Sequence, residues 1–324
     1  MLAAILFIIM INDIDEDIKR CIVRCFADDT RINMKVKTEK DKKAMQDDLN
    51  EIYKWAEKNI MKFNEAKFDQ MTCGVTEDVD IEPYKTASGL DIESKNIVKD
   101  LGVITSDKLL FKEHIDSIVL ACKIKQGNIL RNFETRKEEI MMKLYKSQIR
   151  SKAEYCCLVW SPSYKRDISR LERIQKSFTK KIEGMEDKNY HQRLKILNLY
   201  SLERRRERYM IINTWQQIEG QRENIMGFEI NGRARHRTIK ETRVKWNRSS
   251  KNSSIIYNSP ALKMMRLFNS IPGELRDTTE VKLDTFKRKL DKWLSLVPDT
   301  PIIDNYKAAA ESNSIIQQAS HSRK

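Results

Sequence analysis

The sequence predicts an α+β fold in which short strands and helices are followed by a mainly helical C-terminal part. Apolar and β-branched residues flank Asp28 and Asp29 in residues 21–36, which is typical of two strands joined by a tight bend. The following residues, 37–62, carry apolar side chains at helical spacing. Beyond residue 111 the pattern stays helical, and the 324 residues contain only 9 glycines, which favours helices.

The N-terminal part alternates between helix and strand signals. Its helical stretch repeats apolar residues at i, i+4, i+7 and i+11, namely Met45, Leu49, Ile52 and Ala56. Residues 63–105 change to short strand-like stretches that Gly74, Pro83 and Gly89 interrupt. We therefore place the end of the α+β part at residue 106.

The C-terminal part begins with a helix whose apolar positions share one face: Phe111, Ile115, Ile118 and Cys122. Ser201 is placed to cap a later helix. Another helix separates an apolar side from a basic side, and its basic residues are Arg170, Arg173, Lys176, Lys180 and Lys181. Such a face can lie along a nucleic-acid groove, or it can be an ordinary solvated surface, and the helix alone leaves both interpretations open.

Charge and composition narrow the class of partner. The net charge is +14, and residues 163–251 hold 23 basic against 11 acidic residues. A basic surface of this kind attracts a phosphate backbone without reading its sequence. The apolar stretch of residues 1–11 is shorter than the roughly 20 residues that span a bilayer. The six cysteines show no metal-site spacing. These features predict an intracellular protein, nuclear or cytoplasmic, that is not secreted and has no membrane partner.

Asp28 and Asp29 are the most informative residues of the chain. Adjacent carboxylates repel each other unless a cation lies between them. Hard divalent cations such as Mg²⁺ take carboxylate oxygens as ligands. Because aspartate also tolerates turn geometry, a polar turn without a ligand is the alternative.

Five motifs then follow one another along the chain in the order found in one family of polymerases. They are Phe26-Ala27-Asp28-Asp29, Asn64-x-x-Lys67 after the helix that carries Trp55, Leu101-Gly102-Val103, Trp160-Ser161-Pro162, and Leu267 to Pro272 with Trp293. Together with the apolar residues 2–14, they resemble the reverse transcriptases of non-LTR, jockey-like retrotransposons, in which the first residue of the hairpin motif is more usually tyrosine. The resemblance extends over nearly the whole chain.

The resemblance implies an RNA-directed DNA polymerase that uses two Mg²⁺ ions, an RNA template and a DNA primer. Asp28 and Asp29 would be catalytic metal ligands, and Lys67 would be a catalytic cation near the leaving pyrophosphate. Leu101, Gly102 and Val103 would shape the primer grip. The basic residues from Arg170 to Lys181 would contact nucleic acid from the thumb.

One departure limits this interpretation. The family has a third metal-binding aspartate on an earlier strand, and the 25 residues before Phe26 do not provide such a strand. We therefore expect a partial polymerase palm in residues 1–106, a helical thumb-like domain in 107–220, a basic C-terminal extension in 221–307 and a disordered tail in 308–324. The chain alone is expected to be inactive, and the alternative is a catalytically dead remnant that binds RNA or DNA non-specifically through its basic thumb region.

Overall fold

The computed structural model describes residues 2–74, 82–232, 237–240, 256–277, 281–301, 303 and 312–321. The chain divides into two compact units, Met1–Leu110 and Phe111–Lys324. The predicted boundary after residue 106 lies close to this division, and both sides of the predicted boundary at residue 220 belong to the second unit. The fold is mixed α and β, as the sequence predicts.

The strands of the first unit form small two-stranded sheets. Their bounds are β1 (Ile22–Phe26), β2 (Asp29–Asn33), β3 (Asp69–Gln70), β4 (Glu93–Ser94), β5 (Ile97–Asp100) and β6 (Val103–Ser106). β1 and β2 form an antiparallel hairpin in which Phe26 lies opposite Asp29. β5 and β6 form a second antiparallel hairpin, and the short pair β3 and β4 is parallel.

Two helices accompany these strands, α1 (Leu2–Ile11) and α2 (Glu39–Lys58). Thr38 and Asp41 form a capping box that fixes the start of α2. Leu49 and Ile52 of α2 are buried, as the periodicity predicts. Helix α1 differs, because Ile11 is its only buried residue among those described and most of its apolar side chains face solvent.

The second unit is helical over most of its described length. Its helices are α3 (Lys112–Asn132), α4 (Glu138–Leu144), α5 (Ser151–Glu154), α6 (Cys157–Trp160), α7 (Lys165–Thr179), α8 (Tyr190–Ile196), α9 (Leu202–Ile218), α10 (Pro260–Ser270), α11 (Gly273–Arg276), α12 (Leu283–Leu294) and α13 (Ile315–His321). A π-helical segment, Tyr145–Arg150, joins α4 to α5, and β7 (Ile230–Asn231) pairs with β8 (Thr238–Ile239).

Helix α9 lies at the centre of the second unit's core. It packs against α7, α6 and α10. The predicted cap is confirmed, because the Ser201 hydroxyl accepts a hydrogen bond from the backbone N–H of Arg204 at 3.1 Å. The face predicted for α3 is also confirmed, since Ile115, Ile118 and Cys122 are buried.

The expectation of a disordered tail is wrong for residues 312–321. Residues 315–321 form α13, which packs against α10, and the Ile315 side chain is fully buried. Small polar residues suggested disorder, but Ile315 and Ala319 belong to the buried core of the second unit and Ile316 packs against it. The rest of the predicted tail, residues 308–311 and 322–324, lies outside the described residues.

Candidate active site

The Asp28–Asp29 pair lies at the exposed tip of the β1–β2 hairpin. Ala27 and Asp28 form the two-residue loop, and Asp29 is the first residue of β2. Both aspartates are exposed, and Phe26 before them has 67% of its surface open to solvent. None of the described residues donates a hydrogen bond to either carboxylate or forms an ion pair with it. The tip therefore presents two carboxylates and an aromatic ring to whatever approaches it.

The turn at this tip has strained backbone. Ala27 has a φ of +53°, in the left-handed region that side chains with a Cβ avoid at a cost of roughly 1–2 kcal/mol. Two-residue hairpin loops demand positive φ, so glycine or asparagine is the ordinary choice there. The strained residue, Ala27, therefore directly precedes the acidic pair. Such retained strain is common at functional sites.

A buried carboxylate from α2 holds the beginning of the hairpin. Asp48 accepts backbone N–H bonds from Lys19 at 3.2 Å, Arg20 at 2.9 Å and Cys21 at 2.7 Å. Burial alone would raise the pKa of Asp48, but these hydrogen bonds outweigh it and hold that pKa below its ordinary value. Burial and the neighbouring Asp48 raise the pKa of the Cys21 thiol to about 12. No local feature of the sequence indicates this role of Asp48, because its hydrogen-bond partners lie 27 to 29 residues away.

The predicted primer-grip residues form the turn of the second hairpin. Leu101 and Gly102 are its two loop residues and both have positive φ, +44° and +80°. This pattern is that of a type I′ turn, which explains the glycine that the sequence places there. Leu101 is exposed, whereas Val103 is buried at the start of β6.

One ion pair joins the two hairpins. The Arg31 guanidinium of β2 lies 2.7 Å from the Asp100 carboxylate at the end of β5. Because both side chains are exposed, the pair contributes little stability. It shows that β2 contacts the end of β5 within the first unit, two residues after Asp29 and one residue before Leu101.

Lys67 lies on a short 3₁₀ turn, Glu65–Lys67, with an exposed side chain. The segment is held close to the hairpin by the aromatic rings on either side of it. Phe63 packs on the cluster that contains Val23, and Phe68 packs on a neighbouring cluster that also includes Ile32 of β2. Asp28, Asp29, Lys67 and the Leu101–Val103 turn thus belong to one unit.

The carboxylate oxygens at the tip are ligands of the type that hard cations bind. Mg²⁺ is commonly bound through one or two carboxylates while keeping several waters. Asp28 and Asp29 are such carboxylates, and they are free to turn toward an ion. Within the described ranges, no three histidine, cysteine or acidic side chains converge into a metal site. Two carboxylates without further protein ligands predict weak affinity.

The predicted basic residues of this helix have different surroundings, and Lys180 and Lys181 lie just beyond the end of α7. Arg170 is engaged by the carboxylates of Asp116 and Asp167, whereas Arg173, Lys180 and Lys181 are exposed and Lys176 is half-buried. An open cleft beside α7 is lined by Arg166, Ser169, Arg170 and Arg173. The sequence prediction did not include Arg166, although it lies one turn before Arg170 on the same helix.

The aromatic ring of Trp215 on α9 belongs to the core of the second unit. Trp215 is fully buried and stacks on Phe286, with ring centroids 4.6 Å apart. Of the charged residues at the start of α9, Arg204 and Arg206 are fully buried. The basic stretch 233–236 and Trp246 lie outside the described residues.

The comparisons with known proteins give one partial match. No family model matches the chain, and no solved structure matches it. An uncharacterized protein of Caenorhabditis elegans is 28% identical over 126 residues, which are 38% of this chain and 63% of that protein. The chain thus spans less than two thirds of the length of this relative. Among the described residues, no helix is both long and apolar enough to cross a membrane.

Proposed function

We propose that the chain is part of an RNA-directed DNA polymerase of the non-LTR retrotransposon type, with the β1–β2 hairpin as the metal-binding turn of its palm. The observation that carries the proposal is the exposed Asp28–Asp29 pair beside the strained Ala27. Retained strain next to two carboxylates that no described cation neutralises favours a functional turn over a passive one.

The residues around this turn suit nucleotidyl transfer. Mg²⁺ bound at the aspartates would stabilise the charge on the transferred phosphoryl group. Asp28 and Asp29 would hold the ion, and the Lys67 ammonium would stabilise the leaving pyrophosphate. The Leu101–Val103 turn, which follows the Asp100 that contacts Arg31 of β2, would position the end of the DNA primer.

Metal binding at the hairpin is the first test. Mn²⁺ titrated into the isotope-labelled chain should broaden the backbone NMR signals of residues 26–30, and Mg²⁺ should compete. The double substitution Asp28→Asn with Asp29→Asn should abolish this broadening. Asp47→Asn, an exposed aspartate on α2, serves as the matched control. Broadening that survives the double substitution would contradict the proposal.

Primer extension is the second test. We expect the chain alone to extend no primer, because two carboxylates hold the ions only weakly and the family uses a third. Vigorous Mg²⁺-dependent extension that Asp28→Asn abolishes would show that the two carboxylates suffice. It would leave the polymerase assignment intact and overturn the expectation of inactivity.

A second candidate function is non-specific RNA or DNA binding through the basic residues of α7 and of the segment directly after it, Lys180 and Lys181. The cleft lined by Arg166, Arg170 and Arg173 supports it. Affinity should fall steeply with salt and should not respond to Asp28→Asn. Lys180→Ala with Lys181→Ala should weaken binding more than Arg170→Ala, because Asp116 and Asp167 already neutralise Arg170. Binding that salt does not affect would contradict this candidate.

A further inference from the structure

The first two turns of α9 bury an unusual group of charged side chains. Glu203 and Glu207 lie one helical turn apart and are 8% and 2% exposed. Arg206, beside them, is 1% exposed, and none of its three guanidinium nitrogens finds a hydrogen-bond partner among the described residues. A buried guanidinium without partners is costly. The positive charge of Arg206 is therefore buried without compensating hydrogen bonds.

Titratable groups from the elements packed on α9 face this cluster. Lys263 comes from α10, Glu172 from α7 and Cys157 from α6, while Arg266 lies beside Lys263 and Asp299 beside Glu172. Burial and then the nearby Glu207 raise the pKa of Glu203 to about 8. Burial lowers the pKa of Lys263. At neutral pH Glu203 is therefore largely protonated.

Glu207 has a second role, because it anchors the C-terminal helix. The Ser314 hydroxyl donates to Oε1 of Glu207, and the Ile315 backbone N–H donates to Oε2 at 2.7 Å. The side-chain amide of Asn313 adds bonds to Asp299 at 2.8 Å and to the Ser201 hydroxyl at 3.2 Å. Helix α13 is thus docked through a buried carboxylate that belongs to the charged cluster.

We propose that Glu203, Arg206, Glu207 and Lys263 form a proton-controlled latch for α13. With a proton on Glu203, the charge of the glutamate pair resides on Glu207, which holds Ser314 and Ile315. Loss of that proton leaves a second negative carboxylate buried one turn from Glu207, and Arg206 and Lys263 offset the cost of that burial only in part. Release of α13 is then favoured, because it lets water reach the cluster. The latch goes beyond the polymerase proposal and does not depend on it.

The direction follows from proton linkage. The docked form keeps a proton on Glu203 that a released, hydrated form gives up near the ordinary pKa of 4.5. Between 4.5 and about 8, release of α13 is therefore coupled to the loss of up to one proton. The docking equilibrium should weaken by up to about tenfold per pH unit in this range and level off above it.

Hydrogen exchange measured by mass spectrometry on the full chain tests the latch. Protection of residues 312–321, corrected for the intrinsic exchange rate, should fall steeply from pH 6 to pH 8. Protection of α3 should stay constant over the same range and rules out global unfolding. Glu203→Gln should remove the pH dependence, whereas Glu183→Gln, an exposed control, should retain it.

Two outcomes would overturn the latch. The first is protection of residues 312–321 in the unmodified chain that does not change with pH. The second is an unchanged pH slope in Glu203→Gln. Should that variant fail to fold, Ser314→Ala provides an independent measurement, because it removes one bond to Glu207 without touching Glu203. It should lower the protection of α13 at every pH and preserve the slope, and a lost slope would contradict the latch.

Discussion

The two units of the chain use charged and apolar side chains in opposite ways. In the first unit, two hydrophobic clusters contain four and three buried residues, and both Asp28 and Asp29 lie in solvent. In the second unit, one cluster alone contains seventeen buried residues, and charged side chains such as Arg204 and Glu207 are buried beside it. The contrast indicates that the first unit, apart from the buried Asp48, has its charged side chains mainly at the surface, whereas the second unit buries several of them in its core.

The surroundings of the carboxylates differ in the same way. Ala27 of the first unit adopts left-handed geometry at an exposed tip, next to residues that we propose to bind metal. In the second unit, buried hydrogen bonds link Glu172 to Tyr190 and to the backbone of Leu202. The pKa of Glu172 rises to about 7 because the site is buried. Stability and proposed chemistry are thus placed in different parts of the chain.

The largest expected effect comes from breaking the core of the second unit. Trp215→Ala removes a fully buried ring that stacks on Phe286, and a cavity remains. We expect a loss of about 3–5 kcal/mol in the free energy of unfolding, measured by urea denaturation. Leu296→Ala, which alters an exposed side chain, should change it by less than about 0.5 kcal/mol. Equal effects of the two substitutions would contradict the packing described for α9.

The next effect concerns the buried charge of the first unit. Asp48→Asn replaces a carboxylate that accepts three backbone N–H groups, and should cost about 1–3 kcal/mol. Because the folded pKa of Asp48 lies below 3.8, its stabilisation is present above that pH and is lost as the pH falls through the folded pKa. Denaturation of the unmodified chain between pH 5 and pH 2 should show this loss. Asp48→Asn should show less of it, and Asp47→Asn should behave like the unmodified chain.

Smaller effects are expected at the two hairpin turns, where one substitution introduces a glycine and the other removes one at a position with positive φ. Ala27→Gly should raise the stability of the first unit by roughly 0.5–1 kcal/mol, because it relieves left-handed backbone at φ +53°. Gly102→Ala should lower it by about 1 kcal/mol, since φ is +80° there. Chemical denaturation distinguishes the two signs. A loss of stability in Ala27→Gly would show that the turn is not strained.

The smallest effect on stability is expected at α1. Its outward apolar residues include Leu2, Leu6 and Ile9, which are 70%, 55% and 65% exposed. Leu6→Lys with Ile9→Lys should change the free energy of unfolding by no more than about 0.5 kcal/mol per site. The double variant should nevertheless self-associate less, as light scattering after gel filtration would show, because exposed apolar patches promote association. Unchanged self-association would exclude α1 as its cause.

Local features of the sequence were sufficient to predict several structural elements of both units. The alternation around Asp28 predicts the hairpin, and Gly102 predicts a turn that needs positive φ. Ser201 predicts the cap of α9, and helical periodicity predicts the buried face of α3. These features act over one or two turns of helix, or over directly adjacent strands, so the information lies within a few residues of the element it determines.

The remaining features depend on contacts that the tertiary structure makes. Asp48 meets the backbone of Cys21 across 27 residues, and Glu207 meets Ile315 across 108. The sequence predicts a charged α9 and a disordered tail, yet the fold buries Arg206 and docks α13 against the core. Local composition does not specify burial, because the partners that desolvate and pair a charge come from distant segments. The sequence by itself thus determined the turns, caps and helix faces, and the tertiary structure decided which charges are buried and what they hold.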